Sequence, residues 1–433
     1  MAEITERTQH TRTASYLAEK GEVHHVLLLY SGGLDTSVML KWIQDEYDAE
    51  VVTLTVNLGQ PGEDLGVVEG KARDLGAVDT FVIDARQEFA REYVLPAIKA
   101  NGLYGGGYPL FTALGRPLIA KLAVEYARRA GCDTIAHGCT GKGNDQVRIE
   151  ATVATLAPEL KVIAPVRGWQ MGREEEMEYA RRNGIHVKGP SEGAPPYSID
   201  DNLWGRSSEG RWIEELDHAP EDDVFQLVTP PERAPDEAQT VRLTFEAGVP
   251  VALGGERLGL VDLLERVAEI GCRHGVGIVD HLEDRIVGLK VRDIYEVPAA
   301  AIVLTAHQEL EKLVCTIHQN QFKADLDRQW AYLVYAGLWW EPLRGDLDAY
   351  MDRVNEQVSG TIGIKLYKGS ARVVTRESPN AVYDEALASF TASGGLFSQQ
   401  ASPGFIELWS LQSRMAWRLR NESGPGAGGG ALG

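Results

Sequence analysis

Seven consecutive residues could hold a phosphate: Ser31-Gly32-Gly33-Leu34-Asp35-Thr36-Ser37. They follow a short apolar run, HHVLLLY (24–30), and open a segment of helical spacing, SVMLKWIQDEY (37–47). At such a junction the first N–H groups of the helix have no partners within it, and the helix dipole favours an anion there. Gly32 and Gly33 let a phosphate approach the backbone closely, and Ser31, Thr36 and Ser37 add hydroxyl donors. Asp35 would repel a bare phosphate, so it implies a bridging Mg2+ or a bond to the loop itself. No Gly-Lys-[Ser/Thr] follows, so this is not a Walker A loop, and it is not the G-x-G-x-x-G dinucleotide fingerprint. A generic turn rich in Gly and Ser is the bland competitor, and the full string in this context makes it the minority reading.

A second constellation is His137-Gly138-Cys139-Thr140-Gly141-Lys142-Gly143-Asn144-Asp145-Gln146-Val147-Arg148. It also follows a strand signal and opens a helix. Three glycines allow unusual backbone angles. Thr140, Asn144, Asp145 and Arg148 then gather hydroxyl, amide, carboxylate and guanidinium groups, a set suited to a zwitterionic amino acid. Asp145 would hold an ammonium group, and Arg148 would clamp a carboxylate with two hydrogen bonds. Lys142 would steady phosphate charge or be solvated, with equal weight. His137 reads as a packed or hydrogen-bonded residue rather than a base.

The elements that position these turns are strands and helices in alternation. Strand signals lie at 24–30, 50–58, 79–85, 133–138 and 161–166, with helical patterns at 37–47, 63–75, 86–100 and 112–131. This spacing predicts a doubly wound α/β domain, a parallel sheet with helices on both faces. Ligands usually bind at the C-terminal ends of the strands in such sheets, where both turns fall. The pattern changes near residue 190, at the loop-like GPSEGAPPYS (189–198). Hairpins are expected at 240–255 and at 361–378, the latter turning at Lys368-Gly369, with helices near 258–274 and 320–338. FIELWSLQSRMAWRLRN (405–421) reads as a terminal helix with Leu408, Leu411, Met415 and Leu419 on one stripe and Trp409 beside it. The expected organisation is a nucleotide-binding domain over 22–190, a second α+β domain over 191–404, and a helix over 405–421. Residues 1–21 and 422–433 are expected to be disordered tails.

Composition narrows the function classes. The chain has 433 residues, of which 44% are hydrophobic, and a net charge of −20. That acidity argues against a nucleic-acid partner, since phosphate neutralisation by basic residues supplies most of such affinity. No apolar run is long enough to cross a membrane, and the first twenty residues lack the apolar core of a signal peptide. The expected location is the cytoplasm. Cys132, Cys139, Cys272 and Cys315 contain no C-x-x-C pair, which favours buried structural thiols over zinc or disulfide roles.

The first turn resembles the PP-loop of the ATP pyrophosphatases, enzymes that split ATP into AMP and pyrophosphate and hold the pyrophosphate portion in that loop. From about residue 24 to 420 the chain resembles the argininosuccinate synthase family. YSGGLDTS, AHGCTGKGNDQVR, APVR, YSIDDNLWGRSSE and HGVGIVDHLEDRIVGLKVRDIYE carry the resemblance. It implies a ligase that makes argininosuccinate from citrulline, aspartate and ATP through a citrullyl-adenylate, releasing AMP and pyrophosphate, in arginine biosynthesis. It also implies a homotetramer with a C-terminal arm, which suits the apolar stripe. Position by position, it implies that Leu29, Tyr30, Ser31, Gly32, Gly33, Leu34, Asp35, Thr36, Ser37, Val56 and Gly138 meet ATP, with Mg2+. Thr140, Asn144 and Asp145 would bind aspartate. Citrulline would meet Tyr108, Thr112, Asn144, Arg148, Ser198, Ser207, Glu283 and Tyr295. Asp35 and Asp145 would act by positioning, with no covalent nucleophile. Leu29 and Val56 stand where the family often has alanine, and Ala113 where it has serine. Gly105-Gly106-Gly107 replace the acidic–basic pair that often precedes the tyrosine at 108. Two alternatives stand beside this reading: a PP-loop tRNA-modifying enzyme and a nucleotide-binding regulator without catalysis.

Overall fold

Val26, Leu27 and Leu28 are fully buried at the centre of a parallel sheet, because alternate residues of their strand face apolar layers on both sides. Leu27 packs with Leu114 and Leu118 of one layer, and Val26 and Leu28 pack with Met39, Leu40 and Ile43 of the other. The strand is β1 (His25–Leu29), followed by α1 (Leu34–Tyr47), β2 (Glu50–Asn57), α2 (Leu65–Asp74) and β3 (Asp79–Asp84). A helical stretch over 86–99, containing a π-turn at Phe89–Val94, leads to α3 (Phe111–Ala130), β4 (Thr134–Ala136), α4 (Asp145–Leu156) and β5 (Lys161–Ile163). In this computed structural model the described residues are 13–61, 64–169, 171–185, 197–388 and 397–422.

The strand order is β3-β2-β1-β4-β5, with every pair parallel. The chain winds outward from β1 to β3, then returns to β4 on β1's other side. The order therefore reverses between β1 and β4, which are neighbours in register from Val26↔Thr134 to Leu28↔Ala136. That switch point leaves the turns after β1 and β4 side by side. One part of the expected N-terminal tail is ordered against the sheet: Leu17 bridges Val162, and the Ala18 N–H donates to the Val162 carbonyl at 3.1 Å. Residues 1–12 and 423–433 lie outside the described residues, as do 186–196, which hold most of the expected loop at 189–198.

Beyond residue 197 the second half builds two antiparallel sheets. The first joins β6 (Ser198–Asn202), β7 (Gly205–Glu209), β11 (Ile278–Asp284) and β12 (Lys290–Glu296) in the order β11-β12-β7-β6. The other joins β8 (Gln239–Glu246), β9 (Val249–Leu253), β10 (Glu256–Arg257), β13 (Gly360–Tyr367) and β14 (Ser370–Glu377) in the order β10-β9-β8-β13-β14. Both expected hairpins, β8–β9 and β13–β14, lie in this five-stranded sheet. Helices α5 (Leu260–Arg273), α6 (Pro298–Val314), α7 (Ile317–Tyr335) and α8 (Pro342–Asn355) supply the rest of its core. Thr316 and Gln319 form a capping box that starts α7.

The four-stranded sheet was not foreseen, and its two faces differ in chemistry. Register pairs Asp200↔Ser207, Ser207↔Tyr295, Ser198↔Glu209 and His281↔Asp293, so these residues share a face with Glu283. The opposite face carries Ile199 and Ile294, which pack on Ile213 and Val224. Three bonds fasten this sheet's β6–β7 turn to the first domain. Leu203 N–H donates to Leu58 O at 2.8 Å, Trp204 Nε1 to Pro109 O at 2.9 Å, and Asn202 Nδ2 to Phe111 O at 2.8 Å. The polar face is thereby turned toward the switch point.

Contacts divide the chain into two compact units, Met1–Asn380 and Ala381–Gly433. Within the second, the expected single terminal helix is two: α9 (Ser402–Trp409) and α10 (Leu411–Glu422). Leu408, Trp409, Met415, Trp417 and Leu419 are all at least half exposed. No helix among the described residues is long and apolar enough to cross a membrane.

Candidate active site

A cavity of about 800 Å³ opens where the two turns meet the polar sheet face. Its lining includes Leu29, Tyr30, Ser31, Gly33, Leu34, Asp35, Thr36 and Val56 from the first side, and Gly138, Thr140, Asn144, Asp145 and Arg148 from the second turn. Tyr108, Thr112, Ser198, Ser207, Glu283 and Tyr295 complete the set expected from sequence. Gly32 and Ser37 are the two expected residues that do not line it. Ser37 is fully buried under the turn, its hydroxyl 3.1 Å from that of Tyr30.

The first turn is held open by its own bonds. Gly32 has φ +77°, and a Cβ there would lie 3.1 Å from both methyls of Val68. Gly33 is extended and caps α1, whose first bond runs from Ser37 N–H to Gly33 O at 3.1 Å. Ser31 Oγ accepts from Gly33 N–H at 3.4 Å and lies 3.2 Å from Thr36 Oγ1. Lys71, from α2, donates to Gly32 O at 2.6 Å, and burial pulls its ammonium pKa down.

In the second turn, His137 is structural. Cys139 N–H donates to its Nδ1 at 3.2 Å, so the proton sits on Nε2, which donates to Glu150 Oε1 at 3.0 Å. A Cβ on Gly138 would come within 2.8 Å of the Met39 terminal methyl, so the backbone passes close over α1. Asn144 is spent on the fold: its Oδ1 accepts from Ile286 N–H at 3.0 Å and its Nδ2 donates to the Tyr335 hydroxyl at 2.8 Å. The Lys142 side chain is not part of the lining; its backbone carbonyl accepts from Arg285.

Asp145 carries a guanidinium on each oxygen: Arg148 Nη1 at 2.9 Å on Oδ1 and Arg116 Nε at 2.7 Å on Oδ2. Burial pushes its carboxyl up, and the two guanidinium groups outweigh that and hold it below the usual carboxylate range. Arg116 also bonds Asp200 at 2.7 Å. An ammonium reaching Asp145 would therefore meet a carboxylate already engaged twice.

Arg148 and Glu283 have the opposite character. Arg148 is 3% exposed, donates from Nε to Tyr335 O at 3.1 Å and from Nη1 to Thr112 Oγ1 at 3.3 Å, and lies 5.1 Å from the Tyr335 ring centre. Its Nη2 is buried with no partner. Glu283 is 4% exposed and accepts from the hydroxyls of Tyr295 at 2.7 Å and Tyr335 at 2.6 Å. Among the described residues no cation pairs with it; Arg285 pairs instead with Glu209 at 2.6 Å and Asp293 at 3.5 Å. One cavity thus holds a buried N–H with no anion and a buried carboxylate with no cation, the two kinds of group that would complement an α-amino acid's carboxylate and ammonium.

Tyr108 lines the cavity and also caps a helix. It is 1% exposed, and its hydroxyl accepts from Thr112 N–H at 3.1 Å and Ala113 N–H at 3.3 Å, capping α3 after the left-handed Leu110 (φ +65°). Gly105 and Gly106 have φ +58° and +76°, and a Cβ on Gly107 would fall 2.9 Å from His281 Nδ1. Tyr104 stacks on Tyr335 with ring centres 3.5 Å apart. Sequence reasoning missed Arg116, Asp200, Glu209, Arg285 and Asp293, which line the cavity, and Tyr335 behind it. The alternation in VRDIYE could have found Asp293, two residues before Tyr295 on the same strand face.

Comparison with known proteins agrees with this geometry. Residues 25–186 match the family model described as arginosuccinate synthase N-terminal HUP domain, and residues 197–416 the arginosuccinate synthase C-terminal domain. The argininosuccinate synthase of Rubrobacter xylanophilus is 53% identical over 389 residues, 90% of this chain and 94% of that protein. Its counterpart in Pyrococcus furiosus is 48% identical over 91% of this chain and 94% of its own length. The one from Streptococcus suis strain 05ZYH33 is 46% identical over 92% and 99%. With a parallel HUP sheet, a cavity at its switch point and near-complete matches to both domain models, this chain belongs to the argininosuccinate synthase family.

Proposed function

We propose that this chain is the ligase that joins L-citrulline to L-aspartate at the expense of ATP, through a citrullyl-adenylate, releasing AMP and pyrophosphate. The chemistry needs activation, because a ureido carbon is a poor electrophile with a poor leaving oxygen. The ureido oxygen attacks the α-phosphorus of ATP and pyrophosphate departs. The aspartate amine then attacks the ureido carbon, and AMP leaves with the ureido oxygen while the amine's proton is lost to solvent.

The observation that carries this reading is the pairing of a phosphate-type turn with an amino-acid receptor in one cavity. Residues 31–36 would take the nucleotide, with Val56 and Gly138 at its flanks. Arg148 Nη2 and Glu283 would take citrulline's carboxylate and ammonium. Thr140 and the Arg116–Asp145 pair would face aspartate. Positioning would supply much of the rate, since well-oriented reactants reach effective molarities of roughly 10⁵–10⁸ M. Mg2+ would arrive on the nucleotide, where phosphate oxygens and one or two carboxylates usually suffice. Asp35, the one carboxylate of the first turn, fits that role, and no group of three metal-type side chains exists among the described residues. Such an ion would offset the negative charge of the phosphates. A homotetramer in the cytoplasm, closed by the exposed stripe of α9 and α10, completes the proposal. Neither alternative weighed from the sequence is favoured, since both matched domain models and the three relatives are synthases.

The test is citrulline labelled with ¹⁸O at the ureido oxygen. The label should appear in AMP, one atom per turnover. Label remaining in the amino-acid product or passing to water would rule out the adenylate.

A further inference from the structure

The polar face of the four-stranded sheet holds a second buried carboxylate beside Glu283. Asp293 is 5% exposed, and its Oδ1 has no hydrogen-bond partner. Its Oδ2 lies 3.3 Å from the Tyr295 hydroxyl, which donates at 2.7 Å to Glu283 Oε2. One phenol thus bridges two carboxylates, and both line the cavity. A buried acid with an unsatisfied oxygen is costly unless a proton or a cation completes it. The groups around it are defined on each side. Glu209 comes from β7, Glu283 and His281 from β11, Arg285 from the turn after β11, and Tyr295 from its own strand. Arg285 divides its charge between Glu209 and Asp293, so it does not neutralise the cluster.

We propose that Asp293 is a second ligand for the ammonium group of the amino acid held by Glu283 and Arg148, so that citrulline binds to a pair of carboxylates rather than to one. The proposal rests on the citrulline reading given above. Burial, with the nearby carboxylates of Glu209 and Glu283, pushes the Asp293 carboxyl up to about 7. Below about pH 7 the pocket without substrate therefore holds a proton on Asp293 in most molecules, and an arriving ammonium takes that proton's place. Citrulline binding releases a proton, and affinity rises with pH across that range.

The experiment is the citrulline Kd at pH 6, 7 and 8, by calorimetry in the presence of a non-hydrolysable ATP analogue, for wild type, Asp293→Asn and His281→Gln. Wild type should bind about tenfold tighter at pH 8 than at pH 6. Asp293→Asn should be flat with pH and about tenfold weaker than wild type at pH 8, the two converging at pH 6. His281→Gln should keep the wild-type slope. A merely structural role would lower affinity equally at every pH, and that outcome overturns the proposal. So does a wild-type slope retained in Asp293→Asn, or one lost in His281→Gln instead. If wild type binds aspartate and ATP but no citrulline at any pH, the citrulline reading itself fails, and this inference with it.

Discussion

Replacing Arg148 by lysine keeps the positive charge and removes the planar fork. Arg148 makes three protein bonds, to Tyr335 O, Thr112 Oγ1 and Asp145 Oδ1, and leaves Nη2 buried without one. A lysine ammonium is shorter and has a single charged atom, so it would stay with Asp145 and vacate the Nη2 position. The loss is then one charge-assisted hydrogen bond to the substrate carboxylate, worth about 1.5–3 kcal/mol. At RT of about 0.59 kcal/mol this corresponds to a roughly 12- to 160-fold weaker citrulline interaction. A contact made in ground and transition states alike raises KM and spares kcat. The assay is argininosuccinate formation at saturating ATP and aspartate with citrulline varied. The expected result is a citrulline KM raised in that range, kcat within about fivefold, and an unchanged KM for ATP. A citrulline KM equal to wild type would refute the assignment of Nη2 to the carboxylate.

Three further outcomes follow from the same geometry. Asp35→Ala should cut synthesis at least about 100-fold, as loss of phosphate positioning does, while the urea midpoint stays near wild type; near-normal turnover would remove Asp35 from the nucleotide site. Asp293 has a folded-state pKa raised to about 7 against an unfolded value near 4, so its contribution to stability is full below about pH 4 and is lost as pH rises through about 7. Asp293→Asn should therefore stabilise the fold relative to wild type at pH 8 and not at pH 4, read from urea midpoints, and an equal difference at both pH values would contradict the buried, proton-holding carboxylate. Deleting residues 402–433 should reduce a four-chain particle to a smaller one in light scattering, because α9 and α10 expose Leu408, Trp409 and Trp417; an unchanged mass would exclude the arm from assembly.

What was legible in the sequence was what local pattern encodes. The apolar runs of β1, β2 and β3 alternate with helices, and the Gly-bearing strings after β1 and β4 fell at the C-terminal ends of their strands, as the sequence pattern implied. The two hairpins were visible because turn glycines interrupt β-branched runs. The four-stranded sheet was hidden for a physical reason. SIDDN and GRSSE spend one face on a polar cavity, so they lack the apolar alternation by which strands are recognised. Arg116 and Tyr335 were hidden by distance along the chain: Arg116 meets Asp145 across 29 residues, and Tyr335 meets Asn144 across 191. Tyr108, named from the family resemblance as a citrulline contact, lines the cavity, and the cap its hydroxyl makes on α3 was not legible from its residue type. Asp145 shows the same limit, since neither of its guanidinium partners could be weighed until α3 and α4 were packed together.

In the proposed mechanism the phosphate and amino-acid sites share one cavity. Labelled pyrophosphate should exchange into ATP when citrulline is present and aspartate is absent, and should not exchange without citrulline. Folded protein that binds both ATP and citrulline yet shows no exchange would contradict the shared site and the adenylate with it.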